Sequence, residues 1–285
     1  MPHLRSFLLR DPEFIQKLLA RVMPGLQRLF GCDVRGMEAL GEGPYLFVSN
    51  HNIGAPIETF ALLNEWERLY HGKKPIYALA HRIAFASPLF RSQFERLGAV
   101  PATHEMACEV FASGASLIVF PGGNAEAVRP ITQQDRCELG GHKGWAKIAL
   151  NNSVAIVPVS IVGSHAVNPI FFQSQWLAKF LVIPKLMGLR WFPVSLSQIV
   201  YSYIAFSLSS FMCPLWMSAG LTWIVFSSTP LMPILPSKIK IKIDTPLPTL
   251  TLTQDLADEA QKVDFLYHHT ANLIQSGMDE LKTGQ

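Results

Sequence analysis

A histidine directly behind an apolar run, followed after seven residues by a carboxylate, is the first feature of this chain able to do chemistry. It stands in Ser49-Asn50-His51-Asn52-Ile53-Gly54-Ala55-Pro56-Ile57-Glu58, after the run Tyr45–Ser49. Imidazole gains and loses a proton near neutral pH, so His51 is a candidate general base. Glu58 is the candidate to orient the ring and steady the imidazolium, as an acidic residue does in a catalytic triad. In one continuous helix, seven residues would part the two by about 10 Å, too far for a hydrogen bond. Gly54 and Pro56 argue for a loop instead, because a residue before proline avoids the helical conformation. A folded loop brings Glu58 back to His51. One histidine with one glutamate is, by itself, more often a packed structural histidine.

A second constellation is Phe120-Pro121-Gly122-Gly123-Asn124-Ala125-Glu126-Ala127-Val128-Arg129-Pro130. Paired glycines let main-chain N–H groups come close to a ligand. The Arg129 guanidinium is a planar fork for phosphate or carboxylate. The same residues also suit a tight strand-to-helix turn. A third stretch, Ile156-Val157-Pro158-Val159, ends a strand beside the same cleft and is explained equally well by packing. There is no G-x-S-x-G elbow, no H-E-x-x-H, no P-loop and no dinucleotide-binding glycine pattern. Cys32, Cys108, Cys137 and Cys213 are scattered without metal-type spacing, which reads as reduced thiols rather than a disulfide framework.

The elements that must position these residues follow from hydrophobic periodicity. Tyr45–Ser49, Ile76–Ala80, Ser116–Phe120 and Ala155–Ser160 read as strands; Ile57–Trp66, Pro88–Leu97, His104–Ser113 and His142–Leu150 read as helices. That alternation predicts an α/β fold with a mostly parallel sheet flanked by helices. His51 and the Gly122-Gly123 pair then sit just past strand ends, where open α/β sheets form ligand sites. Ile239–Ile243 alternates isoleucine with lysine and reads as a late edge strand. Residues 12–22 form an amphipathic helix that Pro24-Gly25 interrupts, and either the core or a bilayer interface would take its apolar stripe. A polar helix from Gln254 to Lys282 closes the chain, with Thr251 and Gln254 as its capping box.

Composition adds a lipid. The 285 residues are 49% hydrophobic and only 16% charged, against a usual charged share of about 25%. A net charge of +3 is too small to argue for nucleic acid, and residues 1–29 carry all of it, with five Lys/Arg against two Asp/Glu. A basic, apolar N-terminus is what an anionic membrane surface attracts. Between Arg190 and Lys238 lie 47 residues without a charge. A spanning helix needs about 20, so a membrane-embedded hairpin is expected, turning near Pro214 and Gly220. The apolar run Ser6–Leu9 is too short for a secretory leader, so the α/β domain is expected at the cytoplasmic face of a membrane. The expected organisation is an N-terminal amphipathic region (1–37), an α/β core (38–170), a hydrophobic membrane-associated insertion (171–237), and a final strand and helix completing the core (238–285).

In order and spacing these segments resemble the glycerolipid acyltransferase superfamily, whose members acylate glycerol phosphate, lysophospholipids and related alcohols. Asn50-His51 matches its first motif, and Phe120-Pro121-Gly122-Gly123 with Glu126 and Arg129 looks like the mono- and diacylglycerol acyltransferase-like branch. Gly98-Ala99-Val100-Pro101 and the stretch from Lys143 to Leu150 leading to Val157-Pro158-Val159 fit that branch as well. The resemblance covers residues 38–170, and more weakly Lys238–Pro248. Two positions depart from it. The aspartate common five residues after the histidine is Pro56 here, leaving Glu58 as the substitute. The arginine many members carry after the Gly98 segment is absent, leaving Arg129, Lys143 or Lys147 for anion binding.

The resemblance implies a membrane-bound O-acyltransferase that moves a fatty acyl group from acyl-CoA or acyl carrier protein to the hydroxyl of a glycerolipid or lysolipid. It implies His51 as general base with Glu58 orienting it, and Asn50, Gly122, Gly123, Glu126 and Arg129 binding substrate. No covalent acyl-enzyme, cofactor or metal is implied. The partners are membrane lipids and the acyl donor. Two other classes stay open: a catalytically inactive lipid-binding protein on the same fold, and a thioesterase- or lipase-type hydrolase with water as acceptor.

Overall fold

Every residue of Tyr45–Ser49 is buried, and a run that is apolar up to its last residue suits only the middle of a sheet covered on both faces. The computed structural model, describing residues 9–85, 88–186 and 188–284, puts it there. In chain order the first half comprises α1 (Pro12–Phe30), β1 (Asp33–Arg35), β2 (Tyr45–Ser49), α2 (Ala55–Tyr70), β3 (Ile76–Ala80), α3 (Pro88–Arg96), β4 (Ala99–Pro101), α4 (His104–Ala112), β5 (Ser116–Val119) and α5 (Gly123–Ala127). The second half comprises α6 (Gly144–Asn151), β6 (Ala155–Val162), β7 (Ile170–Ser174), α7 (Gln175–Phe180), α8 (Val182–Leu186), β8 (Phe192–Ser195), α9 (Leu196–Ser210), α10 (Leu215–Ser228), β9 (Lys240–Ile243), α11 (Thr249–Leu252) and α12 (Glu259–Thr283).

The main sheet has the order β1-β9-β6-β2-β5-β3-β4, parallel throughout except where β6 meets β9. Side chains alternate across it, as strand geometry requires. Leu46 and Val48 face a core built with Val110, Trp145, Ile148, Leu266 and Ile274 from α4, α6 and α12. Phe47, Ile118 and Val157 face the opposite core, with Ile57 and Trp66 of α2. Val48 of β2 is level with Val119 of β5 and Pro158 of β6. The segments after these three neighbouring strands therefore emerge at one edge of the sheet.

Several elements differ from the sequence expectation. Pro24-Gly25 does not end the first helix: α1 runs through it to Phe30 and is closed by Gly31 in the left-handed conformation. Ile15 and Leu19 of α1 are buried with Leu63 of α2, so part of its apolar stripe is core. The lysine-bearing strand β9 is not at an edge, since β1 pairs with its free side. Its lysines are satisfied by α12 instead, Lys240 Nζ donating to Leu281 O at 2.9 Å and Lys242 Nζ to Glu280 Oε2 at 2.5 Å. Thr251 and Gln254 form no capping box, and the long helix starts only after Asp258.

The uncharged run forms a helical hairpin, α9 and α10, turning at residues 211–214 with Gly220 inside the second helix. The hairpin is as expected, but neither of its helices is long enough to span a bilayer. Among the described residues no helix is long and apolar enough to cross a membrane. The 47 residues divide into strand β8, two helices of 15 and 14 residues, and a coil leading to β9. Helices of that length are about 22 Å long at most, short of the roughly 30 Å hydrocarbon core. A small antiparallel pair, β7 with β8, stands beside the hairpin.

Candidate active site

Three segments meet at the carboxyl edge of β2, β5 and β6, and a single buried guanidinium joins the first two. Arg129 is fully buried, a position a charged side chain tolerates only when its hydrogen bonds are satisfied. Its Nη1 donates to His51 O at 2.7 Å and to Glu126 O at 2.8 Å. Its Nη2 donates to Asn52 Oδ1 at 2.8 Å and to Gln134 O at 3.0 Å, and its Nε to Gln133 O at 3.0 Å. An arginine has five N–H donors, so this set uses them all inside the chain. The residue singled out as an anion fork thus serves as the tie between the His51 loop and the Gly122-Gly123 loop.

His51 is held at both ends of its peptide unit. Its main-chain N–H donates to Glu126 Oε2 at 2.8 Å, while its carbonyl accepts from Arg129. Glu126, also buried, takes the Glu138 N–H on its other oxygen at 2.9 Å. His51 as a residue is part-exposed, and its ring lies against Phe120 with ring centres 4.9 Å apart. Its Nδ1 is buried without a partner. Burial, then the nearby Arg129 and His165, hold the imidazole down to about 4, so it is neutral at physiological pH.

Glu58 lies in the first turn of α2, fully buried. Its Oε1 accepts from Asn52 Nδ2 at 3.0 Å and from the Ser164 hydroxyl; its Oε2 is buried without a partner. No hydrogen bond joins it to His51. Both orphaned atoms belong to one connected cluster, His51 through its carbonyl on Arg129 and Glu58 through Asn52 on the same guanidinium. Burial pushes Glu58 up to about 7, with the Ser164 and Asn52 bonds pulling the other way. Glu126 is pushed up to about 8 by burial, opposed first by Arg129.

Asn50 is buried with both its amide groups used on β6, Nδ2 donating to Ile161 O at 2.9 Å and Oδ1 accepting from Ile161 N at 2.8 Å. It fixes the departure of the His51 loop from the sheet. Gly122 is a close-approach position: a Cβ there would come within 2.3 Å of Glu138 O and 2.1 Å of Glu126 Oε2. Gly123 has φ +53° with open space where a Cβ would lie, and its N–H closes the turn onto Phe120 O at 3.1 Å.

Asn52, Ser164 and His165 had not been singled out from the sequence. Ser164 bonds Glu58, and His165 Nε2 lies 2.6 Å from Arg129 O. Burial, followed by Arg129, holds His165 down to about 4. The signal that would have found them is topological. Ser164 and His165 follow β6 as His51 follows β2, but the strand expected from the sequence ends at Ser160, two residues before β6 does.

Residues 31–162 match the family model described as Acyltransferase. An uncharacterized protein of Mycobacterium tuberculosis is 25% identical over 90% of this chain and 63% of its own length, and one of Mycobacterium leprae is 26% identical over 90% and 61%. The chain therefore spans under two thirds of these relatives. The human protein named DGAT1/2-independent enzyme synthesizing storage lipids is 28% identical over 45% of this chain and 39% of its own. The crystal structure of the 1-acyl-sn-glycerophosphate acyltransferase PlsC from Thermotoga maritima shares the fold, with a TM-score of 0.54, 17% identity, and coverage of 98% of this chain and 86% of that one. Residues 31–162, the stretch similar to that acyltransferase model, hold all of these site side chains except Ser164 and His165.

Proposed function

We propose that the protein is a membrane-bound O-acyltransferase that esterifies the hydroxyl of a glycerolipid or lysolipid, with acyl-CoA or acyl carrier protein as donor. The observation that carries the reading is His51 itself: neutral, part-exposed, and clamped by its own main chain at the carboxyl edge of the central strand. In this scheme His51 takes the proton of the acceptor hydroxyl as that oxygen attacks the thioester carbonyl. The tetrahedral intermediate then expels the thiolate, which receives the proton from the imidazolium. The products are an ester and a free thiol. With the proton assigned to Nδ1, Nε2 is the base, and Glu58 Oε2 is the partner we assign to the otherwise orphaned Nδ1. Arg129, Glu126 and Asn50 act as positioning residues that fix the His51 loop. The names of the human relative, an enzyme synthesizing storage lipids, and of PlsC, a 1-acyl-sn-glycerophosphate acyltransferase, support a lipid acceptor.

His51→Ala tests the reading. It should lower acyl transfer by about 10²–10⁴ with an unchanged circular-dichroism spectrum. A variant retaining more than roughly a tenth of the wild-type rate would remove His51 from the role of general base. Free fatty acid as the sole product, with alcohol acceptors supplied, would make the protein a hydrolase instead.

A further inference from the structure

The α9–α10 hairpin stands on the site. Its base is a buried polar knot in which Asn168, three residues past His165, donates to Ser197 Oγ and Pro230 O, both at 2.9 Å, and accepts from Ser197 N at 3.0 Å. Gln198 Nε2 reaches across to Phe226 O at 2.9 Å. A second tether runs from Trp191 N to Asn124 Oδ1, at 2.7 Å, on the Gly122-Gly123 segment. The hairpin is thus a fixed extension of the carboxyl edge.

Beyond this base it carries no charge, large apolar side chains are exposed around it, and the hydroxyls of Ser209, Ser210 and Thr222 turn back onto main-chain carbonyls of their own helices. Tyr203 and Leu208 of α9, Leu215, Trp216, Leu221 and Ile224 of α10, and Phe211 and Met212 at the turn are all exposed, Phe211 by 88% and Trp216 by 75%. A protein partner covers one face of a helix. A hairpin with apolar side chains exposed around it needs a medium that surrounds it, and among the exposed surfaces of a protein only lipid does so. The charge pattern agrees. From Leu139 to Ile243 the sequence has no Asp or Glu, while Lys179, Lys185, Arg190 and Lys238 flank the hairpin, all exposed. Among the described residues none of the four pairs with a carboxylate.

We propose that the hairpin inserts into one leaflet of an anionic bilayer without crossing it, and that Lys179, Lys185, Arg190 and Lys238 rest on the headgroups. Helices of about 22 Å, part of which is held in the polar base, reach into the acyl chains and stop short of the far headgroups. The carboxyl edge bearing His51 is then held at the membrane surface. The proposal rests on the lipid reading above for its substrate, but its test needs no turnover.

The test is flotation of the full chain with vesicles of phosphatidylcholine alone and of phosphatidylcholine with phosphatidylglycerol. Binding should be at least about tenfold tighter to the anionic vesicles at low salt, and reversing all four cations to glutamate should erase that preference. Phe211→Asp with Trp216→Asp should abolish flotation while leaving the circular-dichroism spectrum and the turnover of a soluble short-chain substrate unchanged. With Cys32, Cys108 and Cys137 changed to serine, Cys213 at the turn should resist an impermeant maleimide supplied on either side of sealed vesicles. Labelling from the lumen would show full crossing and overturn the one-leaflet arrangement. Flotation unaffected by the double aspartate variant would overturn the role of the hairpin. A wild-type dimer that ignores vesicles and is broken by the same variant would make the surface a protein interface and overturn the proposal. Flotation as expected without any acyl transfer would sink the enzymatic reading and leave this one standing.

Discussion

Replacing Arg129 by lysine keeps the charge and removes the fork. The guanidinium holds five acceptors, namely the carbonyls of His51, Glu126, Gln133 and Gln134 and the Asn52 amide oxygen. An ammonium group has three donors on one nitrogen, so at least two buried acceptors are left without partners. Each costs about 1–3 kcal/mol, giving a loss of about 2–6 kcal/mol against a total stability of roughly 5–15 kcal/mol. For a chain of this size that is a fall in melting temperature of at least about 4 °C. Because one released carbonyl belongs to His51 itself, kcat should fall as well. The assay is thermal unfolding in mild detergent alongside acyl-transfer kinetics. An arginine reserved for a substrate anion behaves differently: its loss raises KM and leaves the melting temperature alone. That second pattern for Arg129→Lys would refute the clamp.

Glu58→Gln keeps an oxygen for Asn52 and Ser164 but removes the carboxylate; kcat should drop by more than tenfold with the melting temperature at pH 6 nearly unchanged, and equal activity in the variant would exclude an orienting role. Stability should also depend on pH in two opposed ways. His51 and His165 are held down to about 4 when folded, so the unfolded chain binds more protons between its ordinary imidazole value and pH 4, and their contribution is lost as pH falls through that window. Glu58 and Glu126 are pushed up to about 7 and about 8, so the folded chain binds more protons there and their contribution is lost as pH rises from the ordinary carboxylate range through those values. Above pH 6.5 only the second effect remains: the melting temperature should fall between pH 6.5 and 8.5, and Glu58→Gln should flatten that slope. A slope unchanged in the variant would place the titration elsewhere.

Much of the sheet was legible because strand formation here is a local matter. Tyr45–Ser49 and Ile76–Ala80 are the strands β2 and β3 to the residue, since short apolar runs bounded by polar or turn residues leave little choice of period. The helices between them were legible for the same reason. Where a boundary is set by a partner, reading along the chain fell short. β1 and β4, three residues each, exist because a neighbouring strand offers them hydrogen bonds. β9 looked like an edge because its lysines alternate toward water, yet α12 brings Glu280 and a helix-end carbonyl to meet them. α1 survives Pro24 because α2 packs on its apolar stripe.

The site divides along the same line. Residue types and their order placed His51, Glu58 and the Gly122-Gly123 turn at strand ends, because a proton acceptor, a carboxylate and a tight turn are properties of side chains and of local main chain. What each polar group does there was decided by tertiary contact. Arg129 has the chemistry of an anion receptor in isolation, and burial turned every donor it has onto the loops beside it. Glu126 became the cap on the His51 N–H, and Asn50 the link to β6. Ser164 and His165 entered the cluster only because β6 lies next to β2. The uncharged run between Arg190 and Lys238 announced its apolar character by composition, but its length was divided by a polar knot around Asn168, Ser197 and Gln198 that spends part of the run on anchoring. A hydrogen bond between residues tens or hundreds of positions apart has no periodicity to betray it, and it forms where packing has already brought donor and acceptor together.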